Sequence, residues 1–176
     1  MTPPEYIQLK AFARIDGALL SLLWLLSFGC YVAGLSSPLY GMVSLVLILA
    51  TPFFVAFRLR KFRDEDLEGI ISFLRAWAYV ILMFFYAGIV FAVGQYLYFA
   101  YMDGGYLMQT IGQAMAAPET AAMIEQMNMG EAVNEGMHAM QAMRPIDIAL
   151  NALTMNISMG IALCLPVAAI MQKRKK

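Results

Sequence analysis

His138 is the only histidine of the chain, and it stands in Met137-His138-x-Met140-x-x-Met143. Imidazole and thioether are soft ligands that suit Cu(I) in an oxidising compartment. His138, Met137, Met140 and Met143 are therefore candidate ligands of a Met-rich periplasmic Cu(I)-binding protein, with Met127 and Met129 within reach from the preceding turn. The same methionines also suit an apolar helical stripe, and Met fills irregular gaps easily. Positions two or five apart do not share a helix face, so not every sulfur can converge. Packing is the favoured reading, and no metal or other cofactor is assigned.

A second set is basic. Arg58, Arg60, Lys61 and Arg63 precede Asp64, Glu65, Asp66 and Glu68, and Arg75 follows among apolar residues. Cations after one helix and acids at the start of the next complement both helix dipoles, with Asp64 as the N-cap. These five cations are the candidate contacts for anionic lipid or for a protein partner. Three amides, Gln95, Asn151 and Asn156, form a third set. Gln95 and Asn156 lie at matched depth by helix rise, which points to an interhelical hydrogen bond that fixes register. A polar pocket for a head group or substrate is the alternative. No Asp, Glu, Lys, Arg or His lies in the middle of an apolar stretch. That argues against a proton-coupled transporter, an ion pathway or a voltage sensor. It also leaves no Ser–Lys, Asp–Asp or zinc-type His–Glu machinery, so the chain is not expected to be an enzyme.

The elements that position these groups follow from where charge is missing. Hydrophobic residues make up 61% of the 176 and charged ones 14%, against about 25% charged in a soluble domain. Gly17 to Phe57 gives 41 positions without charge, Ala76 to Met102 gives 27, and Ile148 to Gln172 gives 25. About 20 apolar residues cross the hydrocarbon core, so the last two stretches hold one helix each and the first holds two. Ser36-Ser37-Pro38 marks the reversal between those two. The expected fold is all-α: a polytopic four-helix membrane bundle in one domain, with spans near 15–35, 39–57, 73–102 and 146–171. A loop at 58–72 and a long segment at 103–145 connect them. Apolar runs such as Leu45 to Ala50 exclude the alternating strands of a membrane β-barrel. The apolar run after Lys10 and Arg14 continues through Val32 without a small-residue cleavage site, so the first helix is expected to stay.

Eleven of the 12 basic residues lie in the N-terminal segment, the 58–75 region and the tail Lys173, Arg174, Lys175 and Lys176. With six acids they carry a net +5, while Arg144 and six acids leave the opposite side at −5. This asymmetry places both termini in the cytoplasm of a bacterial inner membrane. The zero overall charge excludes a nucleic-acid binder acting through bulk positive charge. The 103–147 segment holds eight of the 15 methionines and is expected to form one or two amphipathic helices, with Pro118-Glu119 opening one and Arg144-Pro145 ending the pattern. Small-xxx-small pairs, Gly29/Ala33, Gly88/Ala92 and Gly160/Cys164, suit close helix packing and admit a homo-oligomer. Pro52 and Pro166 are expected to kink their helices. Cys30 and Cys164 lie at different depths and are not expected to pair.

Arg60-Lys61-Phe62-Arg63-Asp64-Glu65, Gly69 with Ile71-Ser72-Phe73, and Arg75-Ala76 resemble the central signature of the domain of unknown function 4199 family. Phe84-Phe85, Ala87-Gly88, Tyr96, Tyr98-Phe99 and Tyr101-Met102-Asp103 continue the likeness, as does the Met- and Glu-rich segment before the last helix. The resemblance implies a small four-helix inner-membrane protein with no established activity and no assigned site residues. The expected function is a non-catalytic membrane subunit or scaffold that contacts membrane lipids and another membrane or membrane-associated protein. A lipid or polyprenyl-phosphate handling partner of a membrane glycosyltransferase, through Arg58, Arg60, Lys61 and Arg75, is the alternative beside copper.

Overall fold

The computed structural model describes residues 2–172, and the basic tail Lys173–Lys176 lies outside them. Eight helices follow one another: α1 (Pro3–Gly34), α2 (Pro38–Leu49), α3 (Thr51–Asp66), α4 (Phe73–Tyr101), α5 (Tyr106–Ala116), α6 (Pro118–Gln126), α7 (Gly130–Ala142) and α8 (Pro145–Met171). No strand occurs among the described residues. Among the described residues, four helical stretches are long and apolar enough to cross a membrane: α1, α2 continued by α3, α4 and α8.

Local sequence sets the ends. Pro3 opens α1 where its missing amide costs nothing, and Glu5 accepts a hydrogen bond from the Thr2 amide at 2.6 Å. The helix thus starts about three turns before the expected position near residue 15, because charged residues can line a helix outside hydrocarbon as readily as a loop. Ser37 is extended and Pro38 opens α2, the reversal expected from this sequence. Pro52 cannot donate to the helical ladder, and the chain changes from α2 to α3 at Ala50.

The basic row is helical. α3 runs on to Asp66, so Arg58, Arg60, Lys61 and Arg63 lie on its last turns instead of in a loop. Asp64 is inside the helix and not an N-cap. The pairs Arg60–Asp64 at 3.5 Å and Lys61–Glu65 at 3.7 Å sit one turn apart, the spacing that extends a helix through charged sequence. The end comes at Glu68 and Gly69, both with positive φ. The Gly69 amide returns to the Arg63 carbonyl at 2.9 Å, a glycine-dependent helix stop.

The described chain forms two compact units, one of residues up to Gly94 and from Asn151 onward, the other Gln95–Leu150. In the first, Leu9, Ala13, Leu20 and Trp24 of α1 pack with Val55, Leu59 and Phe62 of α3, Tyr79, Met83 and Ala87 of α4, and Cys164 and Ala168 of α8. Most of these repeat at three- and four-residue spacing, one buried face per helix. Outward faces carry large apolar side chains, among them Val46, Leu49, Phe53 and Leu165. Such surface is costly in water and suited to lipid.

Glycines set the closest approaches. A Cβ on Gly17 would lie 2.8 Å from the Met83 carbonyl oxygen, and one on Gly160 would lie 2.7 Å from Phe84 Cβ. Gly88 faces Leu153 of α8, so Gly88 and Gly160 both line the α4–α8 approach; their small-residue spacing suggested close packing without naming the helices that meet. Gly29 has nothing within 4 Å of such a Cβ and takes no part in close packing among the described residues.

The second unit holds the long connecting segment. It contains three short helices, α5, α6 and α7, where one or two were expected. Asp103 supplies the extra start: its carboxylate accepts the Gly105 and Leu107 amides, both at 3.1 Å, and so caps α5. Pro118 opens α6, and α7 ends just before Arg144-Pro145, as their sequence indicates.

Candidate functional site

Asp16 occupies a core position. Leu9, Ala13, Asp16, Leu20 and Trp24 form the buried stripe of α1, and Asp16 is 2% exposed. A carboxylate buried this far is costly unless its oxygens are satisfied. Both are: Arg58 of α3 donates from Nε to Oδ1 at 2.7 Å and again from a terminal nitrogen, and the Tyr79 hydroxyl of α4 donates to Oδ2. Phe62 stacks on Tyr79 with ring centroids 4.8 Å apart and 8° between planes, and Phe12 leans on Phe62 at 5.1 Å. Three helices are thus joined through one carboxylate under an aromatic lid. The bonds are charge-assisted and geometrically specific, which fixes the register of α1, α3 and α4.

The other expected cations are placed as follows. Arg63 pairs with Asp64 at 2.7 Å and donates to the Met171 carbonyl at 3.1 Å, bracing α8 against α3. Arg75 pairs with Glu5 at 3.2 Å and donates to Gln8 Oε1, tying α4 to the first turns of α1. Arg60 and Lys61 remain exposed beside their intrahelical acids. Arg58, Arg63 and Arg75 therefore hold helices to one another, and Arg60 and Lys61 are the cations that face outward.

Farther along the same helices lies a polar seam. Ser27 of α1 and Ser44 of α2 exchange hydroxyl-to-carbonyl bonds at 3.0 and 2.9 Å, and Trp24 Nε1 donates to Thr51 at 3.1 Å. These pairs give the Ser27 and Ser44 hydroxyls and the Trp24 indole an acceptor where lipid could offer none. Beside the seam opens a cavity of about 410 Å³, walled by Trp24, Phe28, Phe91, Met159 and Leu163, with Asn156 on its lining. Asn151 is exposed, and the Gln95 Oε1 atom is buried without a hydrogen-bond partner.

In the second unit, Met137 and His138 line a hollow of about 640 Å³ among α5, α6 and α7, with Met115 and Glu125. Met140 and Met143 are 39% and 37% exposed and do not line it, and Met143 lies beyond the end of α7. The structure thus brings two of the four proposed copper ligands to one hollow. Among the described residues, no three His, Cys, Asp or Glu side chains cluster as a metal site. Arg144 forms an exposed pair with Asp147 at 2.8 Å, which raises its guanidinium further above its ordinary value.

Asp16 and Tyr79 did not stand out in the sequence. Asp16 borders an uncharged stretch and Tyr79 resembles an interfacial aromatic. The signal that finds Asp16 is its place in the three- and four-residue repeat of the α1 stripe, where an unpaired charge could not stay.

Four long apolar helices, polar groups joined between helices and a lipid-like outer surface define a multi-pass membrane protein. Its family is equally definite: the chain belongs to the family described as "Protein of unknown function (DUF4199)", whose model matches residues 16–173. No curated protein and no solved structure matches it.

Proposed function

We propose that this chain is a non-catalytic subunit or scaffold of a bacterial inner membrane, with four spans in one bundle and both termini in the cytoplasm. One observation carries the reading: both oxygens of Asp16, the buried carboxylate of the apolar helices, are occupied by Arg58 and Tyr79. A general acid or base must reach substrate, and this carboxylate is 2% exposed and engaged at both oxygens by structural partners, which favours a role in the fold. The orientation rests on the positive-inside asymmetry of the sequence. Polyprenyl-phosphate handling is less favoured, because all four cations it would use already have carboxylate partners, Arg58 and Arg75 on another helix and Arg60 and Lys61 one turn along α3.

What remains available is surface: the outward row of Arg60 and Lys61, the apolar helix faces and the α5–α7 segment. Such surfaces suit lipid, a second membrane protein or another copy of the chain. Affinity purification from native membranes in mild detergent tests this. The expected result is one or more membrane proteins, or further copies, in stoichiometric amount. A strictly solitary chain overturns the reading.

A further inference from the structure

We propose that the cavity beside Asn156 binds a lipid-soluble quinone: a flat ring with carbonyl acceptors and an apolar tail. At about 410 Å³ the cavity falls within the range of small-molecule sites, roughly 300–1,000 Å³. Of its other polar groups, Ser27 bonds Ser44, Trp24 bonds Thr51, and Tyr31 is exposed at its edge. Asn156 makes no hydrogen bond to any described residue, yet its side chain borders this largely apolar space.

Position decides what could satisfy it. Asn156 is the twelfth of the 27 residues of α8, near the middle of an apolar span. A glycerolipid holds its ester and head-group oxygens at the membrane interface, about 15 Å from the bilayer centre, and cannot present them there. A quinone carries its carbonyls on a ring that itself dissolves in hydrocarbon, so one can accept from the Asn156 amide. The walls fit a flat ring. Trp24 and Phe91 meet edge-on at 5.8 Å, Phe28 and Phe91 meet edge-on at 6.1 Å, and all three border the cavity. Such aromatic faces and edges suit another planar ring. Met159 and Leu163 extend the cavity with apolar surface for the first part of a tail.

Trp24 gives the test its reporter, since quinones quench nearby indole fluorescence and Trp77 is the only other tryptophan. The full chain with Trp77→Phe, in lipid nanodiscs, is titrated with decylubiquinone. The expected result is saturable quenching of Trp24, with Asn156→Leu weakening the apparent affinity about tenfold through loss of one hydrogen bond. Non-saturable quenching, of the kind partitioning alone gives, overturns the proposal. So does saturable quenching that Asn156→Leu leaves unchanged. Should Trp77→Phe fail to fold, the unmodified chain is irradiated with an azido-quinone. Label on the α1 or α8 peptides carrying Trp24 or Asn156 is expected, and label confined to other peptides overturns the site.

Discussion

Asp16 and Arg58, the two residues that border the 41-residue uncharged stretch Gly17–Phe57, close onto each other as an ion pair. The stretch runs out along α1, reverses at Pro38 and returns through α2 and α3, so its two borders meet at the same level. Tyr79 then fastens that junction to α4. The charges that frame the first hairpin are also the ones that lock it.

The Tyr79 hydroxyl and the Tyr79 ring are separable. Tyr79→Phe keeps the stack on Phe62 and removes one charge-assisted hydrogen bond, so it should destabilise the chain by about 1.5–3 kcal/mol. Tyr79→Leu should lose more, because the ring contact goes as well. Unfolding of the purified chain in mixed micelles measures both; equal stability of Tyr79→Phe and the parent contradicts the assignment.

Glycine contacts give a prediction with an internal control. Gly17→Val and Gly160→Val should each destabilise by about 1–3 kcal/mol, since the new side chain meets Met83 and Tyr86 backbone or Cβ atoms in one case and Phe84 in the other. Gly29→Ala meets nothing within 4 Å and should be neutral or slightly stabilising through helix propensity. The same unfolding assay ranks them.

How the four spans appeared in the sequence, and why Asp16 did not, have the same cause. Lipid forbids unpaired charge, so three uncharged stretches outline the spans, and Ser37-Pro38 divides the first. That reasoning treats the bordering charges as lying outside. Asp16 is instead buried and Arg58 half-buried, because each neutralises the other across 42 residues, a pairing that no local pattern contains. Arg63 and Arg75 were hidden in the same way: each looked like a cation free for lipid, and each reaches a partner on another helix, Met171 and Glu5. The helical extent of α3 beyond Phe57 was legible in principle, in the Arg60–Asp64 and Lys61–Glu65 spacing.

Orientation is open to direct labelling. In a background of Cys30→Ser and Cys164→Ala, Glu131→Cys should react with a membrane-impermeant maleimide added to spheroplasts, and Arg60→Cys should react only after the membrane is opened. The reverse pattern contradicts cytoplasmic termini.

Copper gives a further prediction. Met140 and Met143 lie away from the hollow that Met137 and His138 line, so the four side chains do not share one site. Cu(I) titration of the full chain should show no stoichiometric binding that depends on His138→Ala combined with Met140→Ala. Loss of a tight equivalent in that double variant contradicts this and revives the ligand set.

The buried charge serves the fold, and the proposed function lies in partner contact. Arg58→Leu alone leaves the buried Asp16 charge unpaired and should cost about 3–5 kcal/mol; Asp16→Leu leaves only the half-buried Arg58 and should cost less, and the double substitution should recover most of the Arg58→Leu loss. The most direct measurement is therefore partner recovery from native membranes by the Asp16→Leu/Arg58→Leu chain, beside the unmodified one. The expected result is a folded membrane-resident protein that retains the same partners in the same amount. A double variant that is folded and membrane-resident but has lost them contradicts the claim, because the pair would then serve more than the fold.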